Sequence, residues 1–441
     1  MAEIIPFRAL HYDPEAVSGL EKVVTQPYDK ISPEMQARYY DLSPYNLVRI
    51  IRGRQLPGDS PSENVYTRAV RDFHQWIDRR ILASEPEPAL YPYHQRYTVP
   101  GRVSGPAASR KLRRGFIALC RLEDYAAGVV HRHEETLSGP KADRLELLRS
   151  TRAHFGQIFL LYTDPAGEVE RLLDFESGAK PWERVEDEYG TEHVVGRVAD
   201  PDLIERVGEA MRPKKLVIAD GHHRYETALA YRDECRARGV TDQRAEYVMA
   251  TFVRMESDGL TILPTHRVVR GLEAFDWDDF LKRAREVFEV EAVDPAGLES
   301  RLRDAGSGRT AIAAYAGAGK AALLALPAGA DLASLLPGIP ASLARLDVVV
   351  LHRLVLERLL GIDPQAVREE KNLAYVREFG AALGEVDSGR AQIAFLLNPT
   401  PIEAVRDNAF AGRVLPQKST DFYPKLLSGL AIYWLDNQSG I

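Results

Sequence analysis

Five residues that can carry out chemistry or permit a sharp turn stand in a row: Asp220, Gly221, His222, His223 and Arg224. Residues 216–219 before them are all apolar, which is typical of a buried strand. After residue 224 the apolar positions recur with helical spacing, and a glycine at 239 ends the pattern. The sequence therefore predicts a strand, a tight turn and a helix, with polar side chains gathered at the turn.

A helix N-terminus offers free N–H groups and the positive end of the helix dipole, so an anion and above all a phosphate is favoured there. Gly221 lets the backbone approach a ligand, and the planar fork of Arg224 suits phosphate oxygens. His222 and His223 add donors whose charge changes near neutral pH. Asp220 fits a metal ligand, a base or an acceptor for a substrate hydroxyl. The alternative is a surface turn capped by Asp220.

A second polar stretch spans residues 130–144. Glu134 and Glu135 are candidates for a general base, with Glu134 and Asp220 as metal ligands, and Lys141 and Arg144 are candidates for phosphate contacts. The same stretch supplies His131, His133 and Thr136 as candidate substrate contacts or supporting residues. The alternative is a solvated charged loop that leads into an amphipathic helix.

Two further polar stretches follow downstream. His266 and Arg267 are candidate substrate contacts or supporting residues, although a structural arginine at a sheet edge explains them nearly as well. Residues 415–425 form a polar, aromatic-containing segment near the C-terminus, and we expect it to return to the site rather than clasp a tail. In it the candidate phosphate ligands are Lys418, Ser419 and Thr420, and the candidate supporting contacts are Tyr423 and Lys425.

The string ADGHHRYETAL resembles the signature of a bacterial and archaeal family of uncharacterised proteins. Four other stretches resemble motifs of that family: a Pro-Tyr-Asp piece ending at Asp29, the Arg-His-Glu-x-Thr and Gly-Pro-Lys-x-Asp-Arg pieces within 132–144, Leu-Pro-Thr-His-Arg at 263–267, and the 416–425 segment. Asp29 could face the site, although a turn-forming aspartate after a proline is the commoner explanation. The resemblance covers nearly the whole chain.

The Asp-Gly-His-His-Arg turn is also similar to the phosphate-binding turn of the ParB/sulfiredoxin superfamily, and most similar to its free-serine kinases. The resemblance implies a mixed α/β or α+β fold with a ParB/sulfiredoxin-like nucleotide-binding core, elaborated by hairpins and a C-terminal α/β region. It implies a kinase that uses ATP or ADP with Mg²⁺ on a small hydroxyl compound, possibly free serine. His222 stands where sulfiredoxin has its reactive cysteine, which argues against sulfiredoxin chemistry. The alternatives are a ParB-type nucleotide switch and a metal-dependent phosphohydrolase.

Composition limits the partners. The 441 residues are 45% hydrophobic and 27% charged, as in a soluble globular protein. The formal net charge of −7 disfavours nucleic acid as a general partner. The two cysteines lie in no metal or redox spacing, and no signal peptide or membrane-length apolar stretch occurs. We therefore expect a cytoplasmic protein with a nucleotide and a small molecule as partners, and a homodimer is compatible with the sequence.

The motifs divide the chain into a core at 1–270 and a C-terminal α/β region at 271–441 whose loop at 415–425 returns to the core. We expect strands at 45–51 and at 246–255, with 259–269 as the hairpin partner of the latter, and a hairpin from 89–99 and 114–122. A helix is expected to begin at Pro61, after an N-cap at Ser60 and with Glu63 in a capping box, and to run to about Leu82. The Ala-Gly-Ala-Gly-Lys run ending at Lys320 lacks the spacing and the Ser/Thr of a phosphate-binding loop, so we interpret it as a hairpin turn.

Overall fold

The computed structural model describes residues 1–101, 110–135, 140–174, 180–240 and 242–438. Thr136, predicted above as a substrate contact, lies outside these described residues. Among the described helices, none combines the length and apolar character that a bilayer-spanning segment needs. The protein has a mixed α/β fold.

The strands in chain order are β1 (Ile4–Ile5), β2 (Leu10–Tyr12), β3 (Leu82–Ser84), β4 (Tyr91–Tyr97), β5 (Lys111–Arg121), β6 (Val130–Arg132), β7 (Ala153–His154), β8 (Ile158–Tyr162), β9 (Lys180–Glu186), β10 (Glu192–Arg197), β11 (Leu216–Asp220), β12 (Tyr247–Arg254), β13 (Thr261–Leu263), β14 (His266–Val269), β15 (Glu289–Ala292), β16 (Ala311–Tyr315), β17 (Ala321–Ala325), β18 (Leu373–Val376), β19 (Ile393–Leu397), β20 (Asp421–Tyr423) and β21 (Tyr433–Trp434).

The α-helices in chain order are α1 (Pro33–Leu42), α2 (Val48–Ile51), α3 (Val65–Asp78), α4 (Pro140–Thr151), α5 (Glu168–Leu172), α6 (Pro201–Met211), α7 (His222–Ala237), α8 (Trp277–Ala284), α9 (Leu298–Gly306), α10 (Leu332–Leu335), α11 (Ala341–Ala344), α12 (Asp347–Val350), α13 (Pro364–Arg368), α14 (Phe379–Asp387) and α15 (Ile402–Phe410). Helix α12 continues directly into a π-helix, Leu351–Leu359.

Nine strands form a large mixed sheet in the order β6-β11-β8-β12-β5-β4-β10-β9, with β1 paired to β5. Strands β6 and β11 run parallel, as do β8 and β12, and the other pairs are antiparallel. Both faces are covered: along β12, Met249 and Val253 belong to one hydrophobic core, while Val248, Ala250 and Phe252 belong to the core on the other face. This double burial explains why β12 is apolar at both alternating positions.

Six strands of the C-terminal half form a second, fully antiparallel sheet in the order β15-β17-β16-β19-β14-β18. It too is covered on both faces by its own apolar clusters. Strands β13 and β20 form a separate antiparallel pair that joins residues 261–263 to the C-terminal segment. The division of the chain near residue 270 stays a prediction.

Two strand predictions were wrong. Residues 48–51 form helix α2, and three of its four side chains are buried, so no one-sided pattern marks it as a helix. Residues 259–269 do not pair with β12, because β13 pairs with β20 and β14 lies between β18 and β19. The β4–β5 hairpin and the β16–β17 turn were predicted correctly. Helix α3 is present, but its N-cap is Asn64 and not the predicted Ser60.

Candidate functional site

The site is built where three neighbouring strands meet the same edge of the large sheet. Asp220 ends β11, and His133 follows directly after the parallel strand β6. Gln157 immediately precedes β8, which runs antiparallel to β11 and therefore begins at this edge. The carboxyl ends of adjacent parallel strands are a common place for ligands in α/β proteins.

The predicted strand, turn and helix are present as β11, Gly221 and α7. Gly221 has φ 91° and forms the N-cap of α7. A Cβ at this position would also lie 3.1 Å from atoms of the Arg224 guanidinium, so conformation and space both favour glycine. Arg224 donates to Asp220 Oδ2 at 3.2 Å and to the carbonyl oxygen of Gln157, and its side chain is 14% exposed. Its fork is thus already engaged within the protein.

A group of buried and half-buried charges, which we call the Asp220 cluster, surrounds this turn; it comprises Lys30, Asp220, Arg224, Asp421 and Lys425. Lys425 Nζ lies 2.9 Å from Asp421 Oδ1. Burial favours the neutral form of Asp220, but the charges of Lys425, Arg224 and Lys30 outweigh it and hold the Asp220 pKa well below its ordinary value. The same balance, with Lys425 and Arg377 as the main cations, lowers the pKa of Asp421 to about 2.

The two lysines of the cluster differ in how firmly they hold their protons. Burial lowers the pKa of Lys30, and the neighbouring Lys425 lowers it further, despite the attraction of Asp29 and Asp220. Lys425 is also buried, yet Asp220 and Asp421 raise its pKa above the ordinary value. Lys425 is therefore the firmly charged centre of the cluster.

Two histidines at the turn are neutral rather than cationic. His133 is buried, with Nδ1 2.6 Å from the carbonyl oxygen of Ile218 and Nε2 2.7 Å from Thr420 Oγ1. Burial lowers its pKa, so Nδ1–H donates to the carbonyl and Nε2 accepts from the Thr420 hydroxyl. The His222 ring lies 4.9 Å from that of His133, and burial together with His133 holds the His222 pKa well below its ordinary value. Neither ring offers a positive charge at neutral pH.

A cleft of ≈ 930 Å³ adjoins the turn and draws its walls from separate parts of the chain. Its charged and hydrogen-bonding lining residues include Tyr28, Asp29, Arg52, Arg54, Tyr66, Asp143, Arg144, His223, Glu370 and Lys418. The Arg144 guanidinium stacks on the Tyr28 ring at 4.2 Å and donates to the carbonyl oxygen of Ile51 at 2.8 Å. Three predicted phosphate ligands, Arg144, His223 and Lys418, therefore share one cavity.

The glutamates and Lys141 lie elsewhere. Glu134 Oε2 is 3.9 Å from His133 Nε2, and the backbone of Glu134 pairs with Leu415. Glu135 lines a different cavity, and Lys141 forms an ion pair with Glu226. None of these three residues lines the cleft.

Four other candidates have structural contacts. His131 Nε2 lies 3.0 Å from the Gly128 carbonyl oxygen, and its ring packs against Phe410. His266 Nδ1 accepts from the Leu397 N–H at 3.2 Å. Tyr423 is buried against Tyr97. The buried Ser419 hydroxyl donates to the Pro416 carbonyl oxygen, so a phosphate would have to displace that bond.

The segment 417–425 is fixed by one buried arginine from each sheet. Arg113 on β5 and Arg267 on β14 are each 1% exposed. Arg113 donates to the Pro424 carbonyl oxygen at 2.6 Å and to Gln95, which donates in turn to the Lys425 carbonyl oxygen at 2.9 Å. Arg267 donates to the carbonyl oxygens of Gln417 at 3.3 Å and Lys418 at 3.0 Å. Burial lowers the pKa of each to about 10, so both remain charged at neutral pH.

The surroundings of Asp220 do not favour the prediction that it holds a metal together with Glu134. Within the described ranges, no group of three or more His, Cys, Asp or Glu side chains could hold a metal ion. Asp220 instead faces Lys425, Arg224 and Lys30, whose charges repel a divalent cation. The residues present therefore do not fit a metal held by the protein at Asp220.

Sequence reasoning missed three charged residues of the site and undervalued one. Lys30, Asp421 and Arg113 were not proposed, although Asp421 lies inside a stretch singled out by motif and Lys30 directly follows another. Asp29 was interpreted as a turn former, yet it lines the cleft and its charge acts on Lys30 and Lys425. The available signal was its place next to a lysine in a Pro-Tyr-Asp-Lys run.

The chain belongs to the family described as Protein of unknown function (DUF1015), whose model matches residues 4–349. No curated protein matches it. Among solved structures it is similar to a conserved hypothetical protein from Pyrococcus furiosus, at 13% identity and a TM-score of 0.36, covering 73% of this chain and 96% of that one. It is also similar to a free serine kinase in complex with AMP, at 15% identity and a TM-score of 0.35, covering 71% and 92%. A third is SbnI with C-terminal truncation from Staphylococcus aureus, at 8% identity and a TM-score of 0.33, covering 71% and 85%.

Proposed function

We propose that this protein is a nucleotide-dependent phosphotransferase that acts on a small hydroxyl metabolite, with ATP or ADP as donor and free serine as the acceptor to test first. The observation that carries the proposal is the cleft that Arg144, His223 and Lys418 line together with Asp29 and Asp143, the last of which is paired with Arg144. Phosphoryl transfer requires positioned cations for the phosphates and a carboxylate for the acceptor hydroxyl. The TM-scores below 0.5 are too low for the solved structures to add to this argument.

The proposed roles follow from exposure and charge. Lys418 holds phosphate oxygens, and the N-terminus of α7 with His223 supplies further donors. Arg144 contributes positive charge, because its guanidinium already donates to Asp143 and to the carbonyl oxygen of Ile51. The acceptor oxygen bonds to phosphorus as the bond to the leaving nucleotide oxygen breaks, and the hydroxyl proton passes to a carboxylate. Asp29 is the better base, because it is exposed in the cleft, whereas the lowered pKa of Asp220 makes that carboxylate a weak proton acceptor. Asp220 then serves to hold Lys425 and Arg224 in place.

The proposal extends to the two regions of the chain and to the role of Mg²⁺. We infer that 1–270 is a ParB/sulfiredoxin-like core centred on β11, Gly221 and α7, and that 271–441 is an added α/β region. Mg²⁺ would enter only as a counterion of the nucleotide phosphates, since the residues of the Asp220 cluster do not fit it.

The first experiment is a thermal-shift titration with ATP, ADP, CTP and pyrophosphate, with and without Mg²⁺, followed by phosphorus NMR with free serine. Lys418→Ala and His223→Ala should each weaken nucleotide binding about tenfold, or about 1.4 kcal/mol, as expected for one charge-assisted contact. Lys320→Ala is the matched control, because Lys320 is exposed at the β16–β17 turn away from the cleft.

The outcomes separate the alternatives. A stabilising nucleotide and a new phosphomonoester signal that disappears in Asp29→Asn would support the kinase. Stabilisation without turnover for any hydroxyl compound would favour a nucleotide switch, and release of inorganic phosphate without serine would favour a hydrolase. If no nucleotide shifts the melting temperature, or if Lys320→Ala weakens binding as much as Lys418→Ala, the cleft is not the nucleotide site.

A further inference from the structure

A second cavity of ≈ 230 Å³ lies beside the π-helix that continues α12. One wall is the helix itself, through Val349, His352, Arg353 and Glu357. The opposite wall comes from α11, α13 and the segment 414–417. π-helical turns are rare and occur frequently at functional sites, so the position of this cavity along one is informative.

Within the described part of the chain, His352 supplies an unpartnered polar group at this cavity. Its Nε2 is buried and has no hydrogen-bond partner among the described residues. Burial, together with the charges of Arg267 and Arg353, holds the His352 pKa well below its ordinary value, so the ring is neutral. A buried nitrogen without a partner is destabilising unless a ligand or water satisfies it. His352 is one of the residues that line the cavity, and a molecule bound there is the candidate partner for this nitrogen.

The rest of the lining divides into an apolar interior and a charged rim. The interior side chains are Ile339, Leu343, Val349, Ile362, Pro364, Val367, Val414 and Pro416. The rim carries both signs, with Arg353 paired to Glu357 at 3.0 Å and with the exposed Arg368 and Glu135. The volume is below the roughly 300–1,000 Å³ of pockets for drug-sized ligands, which suits a small metabolite and not a nucleotide.

We infer that this cavity binds an apolar α-amino acid, with its aliphatic or aromatic side chain in the interior and its ammonium and carboxylate groups among His352 and the rim charges. A zwitterion matches a rim of both signs, and the apolar walls select against charged side chains.

The cavity is connected to the cleft through residues 415–418. Pro416 and Gln417 line it, and Gln417 donates to the carbonyl oxygen of Val367 at 2.8 Å and to the Tyr375 hydroxyl at 3.0 Å. The carbonyl oxygen of the same Gln417, and that of Lys418, accept from Arg267. An amino acid packed on this segment therefore stiffens the backbone that presents Lys418 to the cleft, and it acts as an effector rather than a substrate.

The test is calorimetry of the full chain with leucine, isoleucine, valine, methionine and phenylalanine, with aspartate, lysine, leucinamide and N-acetylleucine as comparisons. We expect binding of at least one apolar amino acid and at least tenfold weaker binding of all four comparison compounds. Arg368→Gln, an exposed change that spares the core, and His352→Asn should each weaken binding at least fivefold. Arg345→Gln, an exposed arginine that lines a different cavity, is the control and should not.

The binding site and its effector role can be overturned by different results. Absence of binding by all five apolar amino acids at millimolar concentration, or equal binding by Arg368→Gln and the unchanged protein, would overturn the site. The link to the cleft is measured separately, because leucine or its best analogue should slow hydrogen exchange of the amides at 415–420 without any nucleotide present. Binding that leaves those amides unchanged would overturn the effector role and leave the site itself standing. None of these readouts depends on the proposed kinase activity.

Discussion

The two ends of the segment 417–425 are held alike but face different surroundings. At one end Arg113, from the large sheet, fixes the backbone beside Lys425, which is buried between Asp220 and Asp421. At the other end Arg267, from the second sheet, fixes the backbone of Lys418, whose side chain lines the open cleft. Both arginines bind carbonyl oxygens, so each orients a lysine without neutralising it.

Lys425 and Lys418 have different roles at the two ends of the segment. The charge of Lys425 balances two carboxylates inside the protein, so its removal should affect folding first. Lys418 is exposed to solvent and is available to bind an anionic ligand. A site of this kind separates the charges that stabilise the fold from those that bind, and substitutions at the two ends should separate in the same way.

The largest expected effect is on folding, from Lys425→Met. This change leaves Asp220 and Asp421 buried with less compensating charge, and breaking a buried ion pair typically costs about 3–5 kcal/mol. Urea unfolding at pH 7 should show that loss. The exposed Lys371→Met, whose ion pair with Glu369 lies in solvent, should leave the midpoint unchanged. Equal effects of the two substitutions would mean that the cluster is not a stabilising unit.

The second prediction compares the two arginines directly. Arg113→Met and Arg267→Met each remove a buried donor from backbone carbonyl oxygens, and each should reduce the free energy of unfolding by about 2–4 kcal/mol. The variants should differ in ligand binding. Arg267→Met should weaken nucleotide binding, since Lys418 loses its support, while Arg113→Met should leave nucleotide binding unchanged, because Lys418 keeps its contact with Arg267. Titration of both variants with ADP, alongside urea unfolding, would show whether the ends are independent; identical binding profiles would refute that.

The order of the chain allowed much of the central motif to be predicted. The apolar run at 216–219 and the helical spacing after 224 are local signals, and β11, Gly221 and α7 follow from them. Strand β14 was misassigned because its partners β18 and β19 come from the distant C-terminal half, and local patterns do not encode such pairing. The buried Arg113 and Arg267 show a further limit of prediction from sequence, since arginine side chains are normally expected at the protein surface.

The site was predicted unevenly for the same reason. His223, Arg144 and Lys418 stand in polar stretches, and the fold brings them to one cleft. Lys30 meets Asp220 only because a short segment before α1 reaches the edge of the large sheet, and nothing in its local sequence indicates that contact.

The third prediction concerns acid and tests the buried end alone. The pKa of Asp421 is depressed to about 2 in the folded state, against about 3.9 unfolded, and that of Asp220 is depressed as well. A depressed carboxylate pKa contributes stability that is present above the unfolded value and is lost as pH falls through the folded one. Asp421 alone should account for about 2 kcal/mol lost between pH 4 and pH 2. Denaturant melts across that range should be flatter for Asp421→Asn, and an unchanged slope would remove Asp421 from the cluster.

The smallest expected effect separates the two roles at a single residue, Lys418→Gly. Lys418 has φ 57°, in the left-handed region that costs a residue with a side chain about 1 kcal/mol and glycine almost nothing. Relief of that strain opposes the greater entropy of an unfolded chain with one more glycine, so the free energy of unfolding should change by less than about 1 kcal/mol. Nucleotide binding should still fall about tenfold, because the ammonium group is gone. Lys418→Ala, which keeps the strain, should bind as weakly and be less stable than Lys418→Gly. If the glycine variant instead binds nucleotide as the unchanged protein does, the open end of the segment holds no phosphate, and the contrast with Lys425 is one of burial alone.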